Sequence, residues 1–286
     1  MNTAMNTTVN QTFDWSRFTA ALRKEVVENK RAILFTLLGT YGLLTMIMIL
    51  GNVSFGGADV INDVLDNYVP HKVVYGIFSF AIIIVASLAF RKLTTKTGRA
   101  EMFTSPSSMT EKFLVNILVY VIGYIVAFFI SAQLADLTRF AVLWFFQDEH
   151  FIVPGPISFL NLIPDTVTGI GSIDEVARWM KPSLFIGIIF STGLYLLGSV
   201  LWPRLSLLKT FAATYAVEFV IGIIAIIIGI SLGKESLESI AYWLMNHMDQ
   251  FMMTIMILYS LLAIVMWCVA WFLFKRKDVI SLKWWK

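Results

Sequence analysis

In a chain of 286 residues, 58% are hydrophobic, only 14% are charged, and the formal net charge is +3. Six mostly apolar stretches occupy so much of this length that little remains for a soluble catalytic domain or a nucleotide-binding fold. The small positive excess is no footprint of nucleic-acid binding, because the basic residues flank apolar stretches, where anionic lipid headgroups account for them.

Residues 1–14, rich in Asn and Thr, are expected to be disordered. No cleavable signal peptide is expected, since the first apolar run begins near residue 32 and no small-residue cleavage pattern follows it. Over residues 15–32, Trp15, Phe18, Leu22 and Val26 recur at spacings of three and four, while Arg17, Lys24, Glu28 and Arg31 fall on another face. That pattern predicts an amphipathic helix lying in the membrane interface, serving either as an anchor or in docking a partner.

A membrane-spanning helix needs about 20 apolar residues to cross a hydrocarbon core roughly 30 Å thick. Residues 33–51, 73–90, 113–134, 182–201, 210–232 and 252–274 meet that requirement and predict an all-α, polytopic integral membrane protein with six spans. With both termini taken as cytoplasmic, 17 of the 22 Lys and Arg fall on the inside, including Arg91, Lys92, Lys96, Arg99 and Lys112. This bias, together with the even number of spans, predicts cytoplasmic termini and a basic tail over residues 275–286.

The first outer loop alternates Asp59, Asp63 and Asp66 with Val60, Ile61, Val64 and Leu65, and a short helix is expected there. The segment from Arg91 to Lys112 is the most distinctive of the short connections. Ser108 and Glu111 have the Ser-x-x-Glu spacing of a capping box, which starts the third span near Met109. Pro106 ends a preceding short helix over Thr94 to Phe103, so a compact knuckle of helix, turn and new span fits in about 20 residues. An ordinary inter-span loop is the plainer alternative.

Beyond the third span, Asp136 and Arg139 are three apart, share a helical face and neutralise each other at the outer end of that tract. Pro and Gly residues punctuate 147–181 into an irregular outer segment. Gly193, Gly198, Gly222 and Gly229 suit close helix packing without forming a strict Gly-x-x-x-Gly pattern. Glu218, about 12 Å into the fifth span at 1.5 Å per residue, is expected to face protein or water, since a charge there costs about 2.5–3.5 kcal/mol to insert. It either lines a substrate path or subunit interface, or locks two spans together. Leu237, Ile240, Leu244 and Met248 then predict a short amphipathic helix before the last span.

Catalytic chemistry has no visible carrier. No phosphate-binding Gly-x-x-x-x-Gly-Lys-Ser/Thr run occurs, and the stretch from Gly229 to Glu235 resembles one only superficially, with Glu after Lys234. His71, His150 and His247 are scattered, so no metal site is expected, and no Gly-x-Ser-x-Gly elbow is present. The single cysteine, Cys268, excludes an internal disulfide. No cofactor is expected, and the chain by itself is not expected to be an enzyme.

Together, the helix from Trp15 to Arg31, the knuckle motif Thr104-Ser-Pro-Ser-Ser-Met-Thr-Glu-Lys-Phe113, six spans, the amphipathic helix before the sixth and the basic Lys275-Arg-Lys277 resemble the membrane-spanning subunits of ATP-binding-cassette type-2 exporters, in their divergent bacterial branch. The resemblance covers the chain from about residue 15. It implies a permease in the inner (plasma) membrane, paired with a second, identical or different permease chain and driven by separate ATPase subunits. It also implies that the knuckle touches the ATPase, through Arg99, Glu101, Met102, Phe103, Thr104, Ser105, Glu111 and Lys112. The outer segment 147–181 is longer than the short turn usual in that family. Two alternatives remain open at this stage: an ion-coupled carrier using Glu218, and a non-transporting membrane scaffold.

Overall fold

The computed structural model describes residues 13–55, 69–145 and 174–276. The expected disordered terminus up to residue 12, the first outer-loop helix, the irregular outer segment up to residue 173 and the tail from residue 277 lie outside the described residues.

All described elements are helical: α1 (Trp15–Glu28), α2 (Lys30–Phe55), α3 (Val69–Leu88), α4 (Lys96–Thr104), α5 (Met109–Asn116), α6 (Gly123–Phe145), α7 (Asp174–Leu201), α8 (Ser206–Asn246) and α9 (Met248–Lys275). Five stretches are long and apolar enough to cross a membrane: Lys30–Leu50, Met109–Val142, Pro182–Leu201, Ser206–Lys234 and Met248–Lys275. The stretch expected as the second span is represented by the shorter apolar helix Val74–Leu88. The expected boundaries shift because helices run on past their apolar cores. α7 begins at Asp174, with Pro182 in its interior, and α6 continues to Phe145.

Local chemistry sets several of the ends. Asp14 caps α1, its carboxylate accepting the Ser16 and Arg17 backbone N–H groups at 2.7 and 3.4 Å. Inside α8, Gly233 takes φ 74°, a left-handed backbone that glycine adopts freely, and there the apolar span gives way to the expected amphipathic piece. His247 separates that piece from α9. Leu237, Ile240, Tyr242 and Trp243 on it are exposed, as a helix resting on a bilayer surface requires.

α7 packs chiefly on α9, α2 on α6 and α3 on α7. A Cβ on Gly193 would come within 2.6 Å of the Trp267 ring, and one on Gly198 would collide with Thr210, so both glycines are required by the close approach of α9 and α8 to α7. Two apolar clusters result. One joins Leu44 and Met48 of α2 to Val74, Phe78 and Ile82 of α3 and Tyr124 and Phe128 of α6. The other lies beneath the α3–α5 connection, where Phe90, Phe113 and Phe274 form a triangle with ring centroids 4.9–5.6 Å apart.

Between α5 and α6 the chain runs through a π-helical turn, Ile117–Ile122, which periodicity did not reveal. Asn116 Nδ2 donates to the Lys112 carbonyl at 2.8 Å just before it. Such turns interrupt α-helices frequently at functional positions.

Candidate functional site

The expected knuckle forms. After α3, a 3-10 turn (Arg91–Thr94) leads into α4, whose N-cap Thr95 accepts the Gly98 N–H at 3.1 Å. Ser105 leaves α4 with extended backbone (ψ 143°), the conformation that a following proline imposes. Ser108 and Glu111 then start α5 as a capping box: Ser108 Oγ accepts the Glu111 N–H at 3.2 Å, and Glu111 Oε2 accepts the Ser108 N–H at 2.8 Å.

Glu111 does more than close its own helix. It is fully buried, and Oε1 accepts the Asp14 backbone N–H at 2.8 Å and lies 3.4 Å from Arg17 Nη2. One carboxylate thus joins the first turns of α1 and α5 across 97 residues of sequence. A second link is built from Glu25, also buried, whose Oε2 accepts Lys92 Nζ at 2.7 Å while Oε1 accepts Asn29 Nδ2 at 2.9 Å. Glu28 and Glu101 stand 3.5 and 3.8 Å from the same ammonium. Burial by itself would depress the Lys92 pKa, but the Glu25 hydrogen bond and charge, with Glu101 and Glu28 behind them, hold it above the usual lysine value. Lys24 bridges Glu28 and Glu101 at 3.5 and 3.6 Å.

The knuckle is also tied to the bundle. Thr94 Oγ1 donates to the Pro203 carbonyl at 3.2 Å, reaching the α7–α8 turn, and Phe103 packs on Phe274 of α9. Movement of α4 would therefore be felt by α1, α5, the α7–α8 turn and α9.

The residues expected to meet a partner divide by burial. Glu101 and Thr104 are exposed, and Arg99, Phe103 and Ser105 are half-buried. Met102 belongs to the apolar cluster, while Glu111 and Lys112 are buried. Those three can touch no docked partner while the knuckle is closed, so they hold the surface instead of forming it. Thr95, Lys96, Thr97 and Pro106 are exposed beside Glu101 and Thr104 and complete the outward face.

Glu25 was the residue that sequence reading missed, yet it left a signal. It follows Phe18 and Leu22 by seven and three residues, placing a carboxylate on the stripe expected to be apolar. That stripe is in fact divided: Phe18 is buried against the protein, and Trp15 and Val26 are exposed.

Elsewhere, Asp136 and Arg139 pair as expected, with Oδ1 2.8 Å from Nε, and both are buried. Glu218 is exposed on α8 of this chain, and no part of that helix's apolar window is buried, so neither of its expected protein neighbours, a substrate path or a locking span, is supplied within the chain. The cause is the position of α8 at the margin, touching α7 and α3 and barely α9. Among the described residues no three metal-ligating side chains come together. His247 stacks on Trp243.

Fold and site together define an all-helical protein with several membrane-length apolar helices and an ordered knuckle braced by its first helix. No protein family, curated protein or solved structure matched the chain in comparison.

Proposed function

We propose that this chain is the permease subunit of an ABC transporter of the type-2 exporter kind, a six-span protein of a bacterial inner membrane with both termini in the cytoplasm. In this reading Val74–Leu88 is the second of the six spans. The chemical step belongs to separate ATPase subunits. This chain converts their closure into movement of its spans, through which substrate passes outward.

The observation that carries the reading is the construction of the knuckle. Its outer face offers Lys96, Glu101 and Thr104 to a partner, while its inner face is fastened to three separate elements: to α1 by Glu111 and Lys92, to the α7–α8 turn by Thr94 and to α9 by Phe103. A flexible inter-span loop has no use for such fastening; a lever does. The unburied apolar faces of α8 and α2, with Glu218 on the former, are where a second permease chain fits. An exposed intramembrane carboxylate would otherwise face lipid at a cost of about 2.5–3.5 kcal/mol.

The test is a mild-detergent pull-down of tagged protein from its native membrane, read for an accompanying ATPase subunit. Wild type is expected to recover it, and Lys96→Glu combined with Thr104→Arg, which alters only the outward face, is expected to lose it. Absence of any ATPase from a wild-type complex that retains its second permease chain would overturn the reading.

A further inference from the structure

Between α1 and the knuckle lies a cavity of about 240 Å³ that neither the fastening nor the outward face requires. Its wall includes the cationic side chains of Arg17, Lys24, Lys92 and Lys112, brought from α1, the 3-10 turn and α5. Three of these cations are already matched. Arg17 pairs with Glu111, and Lys24 and Lys92 share Glu25, Glu28 and Glu101. The carboxylates in the wall are thereby committed to those partners, and Lys112 keeps only the longer-range field of Glu111, with no carboxylate at ion-pair distance.

Lys112 is only 8% exposed, and among the described residues no carboxylate comes within 4.0 Å of its ammonium. Its single hydrogen bond is long, 3.5 Å to the Phe103 carbonyl. Lysine is almost never buried without a counter-charge, because desolvating an ammonium costs several kcal/mol. A buried ammonium with two unspent donors, facing a cavity with Ser107 and Asn116 in its wall, has the make-up of an oxyanion site.

The position of the cavity narrows the anion. α1 exposes Trp15 and Val26 as an interfacial helix does, and α5 opens the apolar stretch Met109–Val142. A cavity between the middle of α1 and the start of α5 lies at the depth of lipid headgroups. The rest of its wall, Ala20, Ala21, Met102 and Val115, is apolar and suits the carbon part of an amphiphile. We infer that this cavity binds a phosphate group, with Lys112 as its principal cation, and that the phosphate is supplied by an anionic phospholipid or by free phosphate. Occupancy would brace α1 against the knuckle, making the lever responsive to what surrounds it.

The experiment is a thermal-shift titration of the purified full-length chain in neutral detergent, with short-chain phosphatidylglycerol, short-chain phosphatidylcholine and inorganic phosphate as separate probes. Stabilisation by phosphatidylglycerol alone identifies the lipid source, and an equal response to inorganic phosphate identifies the free ion. Lys112→Met is expected to weaken the effective ligand at least tenfold, and Lys112→Arg to retain it. Ala21→Leu, which fills the cavity from α1 and leaves Lys112 in place, is expected to abolish the shift and serves if Lys112→Met does not fold. The inference is overturned if neither phosphatidylglycerol nor phosphate shifts wild type beyond phosphatidylcholine, or if the folded variants respond as wild type does. None of these readouts involves an ATPase, so they stand or fall independently of the permease assignment.

Discussion

Replacing Glu111 by Gln keeps the shape of the side chain and removes one acceptor, which isolates what the buried carboxylate does. Its two oxygens accept backbone N–H groups from Ser108 and Asp14, each at 2.8 Å. A carboxamide offers one oxygen, so its NH2 must meet one of those N–H groups donor to donor. Leaving a buried donor unsatisfied costs about 1–3 kcal/mol, and hydrogen bonds to a charged acceptor contribute about 1.5–3 kcal/mol. The Arg17 contact, at 3.4 Å with Arg17 a quarter exposed, adds little. A loss of about 3 kcal/mol on the α1 side is therefore expected, a factor of roughly 150 in the ratio of docked to undocked α1. Hydrogen exchange reads this directly, because amides of α1 exchange through local undocking while those of the α7–α9 core do not. In Glu111→Gln the protected amides of α1 should exchange about 100-fold faster, with α7 and α9 unchanged. If α1 amides exchange at the wild-type rate in that variant, the carboxylate does not hold α1 and the account of the knuckle as a braced lever fails.

Phe274→Ala, which empties the centre of the aromatic triangle with Phe90 and Phe113, should destabilise by about 3–5 kcal/mol and lower the detergent melting temperature. Arg139→Met leaves Asp136 buried beside an apolar chain and should cost about 3–5 kcal/mol; adding Asp136→Asn should return part of it in a double-mutant comparison. The Lys92 bridge contributes through a raised pKa, so its stabilisation is fully present below the ordinary lysine value of 10.5 and is lost as pH rises through the higher folded-state value. Wild type and Lys92→Met should therefore differ in melting temperature at neutral pH and converge at strongly alkaline pH. Gly198→Leu should separate α7 from α8 by collision with Thr210, seen as a lower melting temperature and faster proteolysis at the α7–α8 turn.

Much of the helical layout was legible because it is local. Apolar length marks membrane-crossing helices wherever the chain carries it, and Ser108 with Glu111, and Pro106, act on neighbours within a turn of helix. The extended Ser105 before Pro106 follows from a single-residue backbone preference; the break at Gly233, which the apolar pattern did not mark, falls between the expected fifth span and the amphipathic piece after it. The pairing of Asp136 with Arg139 follows from helical geometry alone, three residues being less than one turn.

Which way a side chain faces was decided elsewhere. The contact set implied by the knuckle's resemblance included Glu111 and Lys112, but packing buried both, because α1 folds over the start of α5 and covers them. Glu218 was expected to face protein or water from its cost in lipid, yet α8 sits at the edge of this chain and leaves it exposed. Insertion cost requires a neighbour without saying which chain supplies it. Glu25 and Lys92 meet across 67 residues, and Glu111 and Asp14 across 97. No periodicity within a helix encodes such pairings, since they depend on how separate helices are set against one another. By itself the sequence determined most of the helices, the Ser108–Glu111 cap and the end of α4 before Pro106, because those are settled by atoms a few residues apart. The tertiary structure decided which carboxylate braces, which lysine is left facing a cavity and which face is open to a partner, because burial and charge pairing arise only once distant segments share the same space.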